Sequence, residues 1–96
     1  MGARALEALL PAGAPQLKVI FLGVAREVAA VSERRLLVTA PLTLSALRER
    51  LYADHPALLP LAPVLRWVVN GAFEPHASRS LVAGDTVALL LPFSGG

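Results

Sequence analysis

One segment of this chain has the repeat of an amphipathic helix, and the apolar segments on both sides of it have the repeat of strands. Leu44, Leu47 and Leu51 recur at intervals of three and four residues, directly after Thr43, a residue type that caps helix N-termini. Pro56 predicts that this helix ends just before it. Because one helix covers only one face of a sheet, the sequence predicts an α+β fold with a single main helix packed on one side.

Four strands are predicted around this helix. Their side chains alternate between two faces, and the segments are 17–22, 34–39, 65–70 and 86–91. The charged residues 33–35 are interpreted as marking a turn before the second strand, and the short spacing from the first strand predicts a hairpin. Residues 23–30 form the predicted connection, with Arg26 and Glu27 exposed to solvent.

Turn signals divide the rest of the chain. Asn70-Gly71 predicts a tight turn after the third strand. Residues 83–85 predict a turn before the last strand, in which the Asp85 side chain caps local backbone N–H groups. Residues 72–82 are interpreted as a short irregular strand and a loop, and residues 56–63 as holding a short second helical turn.

The first and last predicted strands are apolar on both faces, which a sheet covered on one side does not require. If Val19, Trp67 and Leu89 face the helix, their neighbours along each strand face away from it. The uncovered face then carries Ile20, Leu22, Val68, Ala88 and Leu90. We interpret these five residues as a surface for a partner; packing of residues 1–16 over them is the alternative.

The chain ends on a proline followed by mostly small residues. Pro92 has no N–H group, so the last strand should end there, and the folded domain is predicted to span residues 17–91. We expect residues 1–16, rich in Ala, Gly and Pro, to be a flexible extension. We also expect a mobile tail made of Pro92, Phe93, Ser94, Gly95 and Gly96. Because glycine has no Cβ, this tail can enter a narrow channel and deliver the Gly96 carboxylate.

Composition argues against several classes of site. The chain has no cysteine, which excludes disulfides and thiol chemistry, and its two histidines are too few for a metal site. The arginines are scattered and the aromatic residues form no stacking series, so we expect no nucleic-acid binding. No apolar run reaches the roughly 18–20 residues of a membrane span. We therefore expect a protein of the cytoplasm that binds no cofactor itself.

Single polar residues carry weaker predictions. His55 is predicted to be solvated at the end of the helix, and Glu49 and Asp54 are placed on its exposed side. Lys18 and Arg66 are placed on the uncovered sheet face. There they either meet acidic groups of a partner or are ordinary solvated charges.

Four segments carry a family resemblance over residues 17–96. They are residues 17–22 with Ala25-Arg26-Glu27, then Val69-Asn70-Gly71, residues 81–88, and the ending Pro92-Phe93-Ser94-Gly95-Gly96. Together they resemble the ubiquitin-like β-grasp sulfur carriers, most closely the small subunit of molybdopterin synthase. That family usually has a second proline at Leu91 and often a smaller aliphatic residue at Phe93. The resemblance implies a mixed sheet of four to five strands, one main helix on one face and a free C-terminal diglycine tail.

The resemblance also implies that the chemistry is centred on Gly96. A ubiquitin-activating-type enzyme would use ATP to adenylate the Gly96 carboxylate, and a sulfur donor would convert it to a thiocarboxylate. The tail would then enter the large subunit of molybdopterin synthase and donate sulfur to a cyclic pyranopterin precursor. The chain would be a non-catalytic sulfur-donor subunit, with no catalytic group beyond its C terminus.

Other functions stay open on the sequence. A ubiquitin-like modifier conjugated to lysines would use the same Gly96, since both pathways begin with adenylation. A thiamine-pathway sulfur carrier is typically shorter and lacks the segment found here at residues 56–63. A β-grasp interaction domain with an inert tail is the remaining alternative.

Overall fold

The computed structural model describes Glu7 and residues 9–92 of the chain. Its strands are β1 (Gln16–Phe21), β2 (Glu33–Leu37), β3 (Leu42–Thr43), β4 (Arg66–Val69), β5 (Ala72–Phe73), β6 (Ser80–Leu81) and β7 (Thr86–Leu90). Its helices are α1 (Gly23–Ala29), α2 (Leu44–Asp54) and a 3-10 helix over Pro56–Leu61. None of these described helices has the length and apolar character needed to cross a membrane.

Five strands form one mixed sheet in the order β2-β1-β7-β4-β5. β1 and β7 are parallel neighbours in its centre, and the other adjacent pairs are antiparallel. β3 and β6 form a separate antiparallel pair. One continuous core joins the inner face of the sheet to the helices. This architecture confirms the predicted α+β β-grasp fold with one main helix on one face of the sheet.

The main helix α2 has the predicted cap and the predicted buried stripe. Oγ1 of Thr43 accepts a hydrogen bond from the backbone N of Ala46 at 3.1 Å, and the helix ends at Asp54. The residues of the stripe, all fully buried in the core, are Leu44, Leu47 and Leu51. Burying leucine side chains contributes about 1.5–3 kcal/mol each. The helical turn predicted within residues 56–63 is the 3-10 helix.

Two turns at one end of the sheet are joined by side chains. Asn70 and Gly71 have φ of 49° and 85°, as a two-residue turn between β4 and β5 requires. Nδ2 of Asn70 donates to Oδ1 of Asp85 at 3.0 Å, and Oδ1 of Asn70 accepts from the N of Thr86 at 2.9 Å. Oδ2 of Asp85 accepts from the backbone N of Val82 at 2.9 Å, which confirms its predicted capping role. These bonds from Asn70 and Val82 lower the pKa of Asp85 below its usual range.

The connection between β1 and β2 is a helix, which the sequence did not predict. Helix α1 buries Ala25 and Ala29, which lie one turn apart, and leaves Arg26 and Glu27 exposed as expected. The helix has neither a side-chain cap nor an acidic residue in its first turn, so the usual signals of a helix start are missing. β1 and β2 still pair antiparallel, and the predicted hairpin pairing is confirmed.

Other strand ends also differ from the predicted bounds. β2 begins at Glu33, so the charged residues 33–35 lie inside the strand, contrary to the prediction that they mark a turn. Leu42–Thr43, directly before the main helix, was not predicted as a strand but forms β3 and pairs with β6. Both differences arise because pairing partners distant in sequence, and not local charge or capping signals, determine where these strands begin.

Arg34 of β2 is 2% exposed, because two carboxylates surround its guanidinium group. Nε donates to both carboxylate oxygens of Glu7, at 3.1 and 3.2 Å, and Nη2 forms an ion pair with Glu7. Nη1 donates to Oδ2 of Asp54 at 2.8 Å. Burial alone would lower the pKa of Arg34, but the hydrogen bonds and charges of Glu7 and Asp54 outweigh burial and raise that pKa above its usual value. The group therefore stays a buried cation.

His55 is buried, and the prediction that it is solvated is wrong. Its side chain follows the end of α2, where Nε2 lies 3.2 Å from Nη1 of Arg34. The ring also packs edge-on against Phe21, with 5.4 Å between the ring centroids. Phe21 and Arg34, the residues that cover His55, belong to β1 and β2, so the sequence around the end of α2 does not reveal that the histidine is buried.

The N-terminal part of the chain makes defined contacts where it is described. Gln16 already belongs to β1, and Nε2 of Gln16 donates to the carbonyl oxygens of Pro11 and Ala12 at 3.3 and 3.4 Å. Glu7 is held by Arg34 on the helix side of the sheet. The division into a flexible extension (1–16), a domain (17–91) and a tail (92–96) stays a prediction.

Candidate partner-binding face and C-terminal tail

The sheet face opposite the helices, called the open face below, contains the five residues that alternation predicts there. They are Ile20, Leu22, Val68, Ala88 and Leu90. Val19, Trp67 and Leu89, their neighbours along the strands, are at most 3% exposed, as predicted for the core side. Leu22 is 45% exposed, and the other four are half-buried. The predicted exposure is confirmed, and the role of these residues in binding a partner stays a prediction.

Strand register arranges much of the open face as an apolar row across four strands. Ile20 of β1 is paired with Ala88 of β7, and Ala88 with Val68 of β4. Val68 is paired with Phe73 of β5, which is 58% exposed and extends the row to the sheet edge. The sequence interpretation missed Phe73. The signal was available in the Asn70-Gly71 turn, because a two-residue loop sets Phe73 directly opposite Val68.

Leu22 and Leu90 lie at the end of the sheet from which the tail leaves. The backbone N of Leu22 donates to the carbonyl of Leu89 at 3.0 Å, and Leu90 is paired with Arg66 of β4. Pro92, the last residue described, is exposed directly beyond this end. The other predicted tail residues lie outside the described part of the chain: Phe93, Ser94, Gly95 and Gly96. The apolar face is thus continuous with the start of the tail.

Basic side chains flank the apolar row. Lys18 of β1 is paired with Arg35 of β2 on one side and with Thr86 of β7 on the other. Lys18 and Arg66 are exposed, as predicted, and Arg35 is half-buried. On the described strands of the open face, Glu33 opposite Ile20 is the single acidic residue. The face therefore combines apolar area with a net positive charge.

The described residues contain no group of three or more His, Asp or Glu side chains that could hold a metal ion. A groove of about 210 Å³ lies between β2 and α2, lined among others by Leu37, Leu47 and Arg50. Pockets that hold small molecules usually measure about 300–1,000 Å³, so this groove has the size of one or two side chains. The open face and the tail are consequently the principal candidate site.

A sequence comparison covers both parts of this site. The profile of the ThiS family matches residues 19–96, from β1 to the C-terminal glycine. The chain belongs to the ThiS family. It is similar to the molybdopterin synthase sulfur carrier subunit of Chlamydomonas reinhardtii, with 32% identity over 82 residues, 84% of this chain and 99% of that relative. This ThiS-family chain is therefore a ubiquitin-like protein of the sulfur-carrier type.

Solved structures show the same fold for the ThiS-family chain. The crystal structure of SAMP1 from Haloferax volcanii has a TM-score of 0.73 and 25% identity, and the match covers 84% of this chain and 99% of that one. The solution structure of the small archaeal modifier protein 1 from Methanosarcina acetivorans has a TM-score of 0.70 and 21% identity, and the match covers 84% of this chain and 96% of that one. These similarities confirm the β-grasp architecture.

Proposed function

We propose that this chain is the sulfur-carrier subunit of a molybdopterin synthase and serves molybdenum cofactor biosynthesis. The observation that carries the proposal is the similarity to the algal sulfur carrier subunit, which extends over 99% of that relative. The diglycine at residues 95–96 and the half-exposed apolar face support the proposal. They are the two features that a small carrier needs: a deliverable reactive end and a surface by which a larger subunit holds it.

In this proposal Gly96 carries the chemistry. A carboxylate is a poor acyl donor, and adenylation by an ATP-dependent activating enzyme makes one carboxylate oxygen part of a good leaving group. A sulfur donor then displaces AMP and leaves a thiocarboxylate on Gly96. The sulfur of this group is nucleophilic and passes to the cyclic pyranopterin precursor, whose binding pocket belongs to the large subunit. The carrier supplies no other reacting group.

The open face is the proposed contact with the large subunit. Docking there buries Ile20, Leu22, Val68, Ala88 and Leu90. Each aliphatic side chain that becomes fully buried contributes about 1.5–3 kcal/mol relative to full exposure, and these half-buried residues contribute part of that amount. Because the face is continuous with the start of the tail, Pro92 and Phe93 would direct Ser94, Gly95 and Gly96 toward the active site of the partner. The narrow diglycine end then fits where larger side chains would not.

Intact mass spectrometry tests this function. The chain is incubated with the activating enzyme, ATP and a sulfur donor, and then with the large subunit and the pyranopterin precursor. We expect one oxygen at the C terminus to be replaced by sulfur in the first step, and molybdopterin to form in the second. Absence of the thiocarboxylate under conditions that convert a known carrier would contradict the proposal.

A protein modifier is the second candidate, because the fold is shared with a small archaeal modifier protein. In the same assay, a modifier would produce adducts on protein lysines after adenylation. A thiamine-pathway carrier would form the thiocarboxylate but would not support molybdopterin formation with the large subunit. An inert interaction domain would give neither the thiocarboxylate nor the adducts.

A further inference from the structure

Lysine occurs once in this chain, at position 18, although the chain contains eight arginines. Lys18 lies on the open face in β1 and is exposed. Within the described residues its ammonium group has neither a hydrogen-bond nor an ion-pair partner. Arg35 lies directly opposite in β2, so two cations face each other, an arrangement that is unfavourable until an acidic group joins them. Lys18 is thus an amine with no partner among the described residues, on the surface proposed to be covered by the large subunit.

Among the side chains of this protein, Lys18 alone can form a stable amide with an activated carboxyl group. Arginine stays protonated because its pKa lies above about 12, and it has no lone pair to offer. The sequence contains no cysteine that could compete. Lysine releases its proton more readily and is the usual target of acylation in proteins. An adenylated Gly96 is an acyl donor of the kind that such an amine attacks.

Lys18 and the tail of the same chain lie at opposite ends of β7. Lys18 is paired with Thr86, the first residue of β7, and the tail begins after Leu91. Five residues of strand separate Thr86, opposite Lys18, from Leu91, after which the tail begins, by about 17 Å at roughly 3.3 Å per residue. A five-residue tail spans at most about 18 Å when extended, and it would first have to reverse direction. The amine is therefore better placed to meet the tail of a second copy.

We propose that Lys18 is the side-chain acyl acceptor for the activated C terminus of a second copy, and that acylation of Lys18 and docking of the open face exclude each other. The deprotonated ε-amine attacks the carbonyl carbon of the Gly96 acyl-adenylate. A C–N bond forms, the C–O bond to the phosphate breaks, AMP leaves with the electron pair, and the proton of the amine passes to solvent. Nothing is oxidised or reduced. The inference rests on the proposed function, because it requires the adenylated terminus and the docking face.

Exclusion follows from the position of Lys18 in the sheet. Lys18 and Ile20 are two residues apart in β1 and project from the same face. An amide at Lys18 removes a positive charge and attaches a whole domain beside the apolar row. Conversely, a large subunit seated on that row shields the amine. A carrier docked for sulfur transfer is therefore not an acceptor, and an acylated carrier does not dock through this face.

Moving the single side-chain amine to another position tests the assignment of Lys18 as the acceptor. Lys18→Arg removes the amine and keeps the charge. Combined with Arg50→Lys, it transfers the amine to an exposed position on α2, on the other side of the sheet. With ATP and the activating enzyme but without a sulfur donor, we expect dimers linked through a side chain from the original chain and from the double variant, and none of this kind from Lys18→Arg. Intact mass and peptide mapping detect the link. Side-chain-linked dimers of Lys18→Arg, or no linked dimer from an adenylated original chain, would overturn the assignment.

Acetylation of Lys18 by acetic anhydride tests, without adenylation, whether docking of the open face and acylation of Lys18 exclude each other. At a large-subunit concentration about ten times Kd, about one chain in eleven is free, so acetylation of Lys18 should slow about tenfold. The amine of the Lys18→Arg/Arg50→Lys variant should react equally fast with and without the large subunit. An unchanged rate at Lys18 in a complex that co-elutes on size exclusion would overturn the exclusion. Failure of the untreated proteins to co-elute would instead contradict the proposed function.

Discussion

Glu7→Gln is predicted to destabilise the fold by about 1.5–3 kcal/mol, the usual contribution of a hydrogen bond to a charged group. The Glu7 side chain is 12% exposed and bonds to the Arg34 side chain, which is 1% exposed. Glutamine keeps the shape of the side chain but removes the charge and one acceptor oxygen. Asp54 stays 2.8 Å from Nη1 of Arg34, so the guanidinium keeps one carboxylate. The loss should therefore stay below the roughly 3–5 kcal/mol expected when a buried charge loses its partners.

The double variant Glu7→Gln/Asp54→Asn removes both carboxylates and should reach that larger loss of about 3–5 kcal/mol. Urea titration gives the free energy of unfolding, and each 1 kcal/mol should lower Tm by about 4–8 °C in a domain of this size. Glu49→Gln is the matched control, because Glu49 is an exposed carboxylate on α2, the helix that also carries Asp54. It should change the free energy of unfolding by less than about 0.5 kcal/mol. If Glu7→Gln behaves like Glu49→Gln, the contact between Glu7 and Arg34 does not form in solution, and that result would favour the predicted flexible extension.

Three further predictions concern the face, the tail and the sheet end. Leu90→Glu should leave the fold intact and weaken binding to the large subunit at least about tenfold, because docking would desolvate both the new carboxylate and Arg66 opposite it, and a buried ion pair is less favourable than buried apolar area. Leu59→Glu, on the 3-10 helix, should bind normally, and equal affinities would place the interface elsewhere. Deleting Gly96, or adding one residue after it, should abolish sulfur transfer without changing Tm, and full transfer by the extended chain would refute the role of the terminus. The pKa of Asp85 is lower in the folded protein, so the ionised carboxylate stabilises the fold above the unfolded pKa near 3.9, and this stabilisation is lost as pH falls through the folded pKa. The difference in free energy of unfolding between the original chain and Asp85→Asn should therefore shrink in acid. A difference that stays constant with pH would contradict the role of the Asp85 carboxylate.

The parts of the fold that follow from local rules could be predicted from the sequence. The cap at Thr43 and the leucine stripe of α2 depend on residues within one or two turns, and the open face depends only on the alternation of strands. Arg34 could not be predicted as buried, because its carboxylate partners lie 27 and 20 positions away and charged residues usually remain in water. Helix α1 was missed because no side-chain cap marks its start and its two fully buried residues, Ala25 and Ala29, are small.

In the candidate site, too, some features follow from local sequence and others need contacts between distant segments. Alternation was enough to select Ile20, Val68 and Leu90, because each strand needs only its own sequence to separate its two faces. Phe73 needed the register between β4 and β5, which the turn sets. The chemistry proposed at Gly96 rests on the family resemblance and not on any contact, and Gly96 lies outside the described residues.

The central position of β7 affects when this protein can become a carrier during its synthesis. The first strand to be made, β1, is the parallel neighbour of β7, the last strand to be made, so the sheet cannot close until the final residues of the domain exist. A chain that stops before β7 lacks both this central strand and the diglycine that follows it. The fold thus ties formation of the open face to synthesis of the last strand, so chains that stop before β7 could not compete for a partner that binds this face.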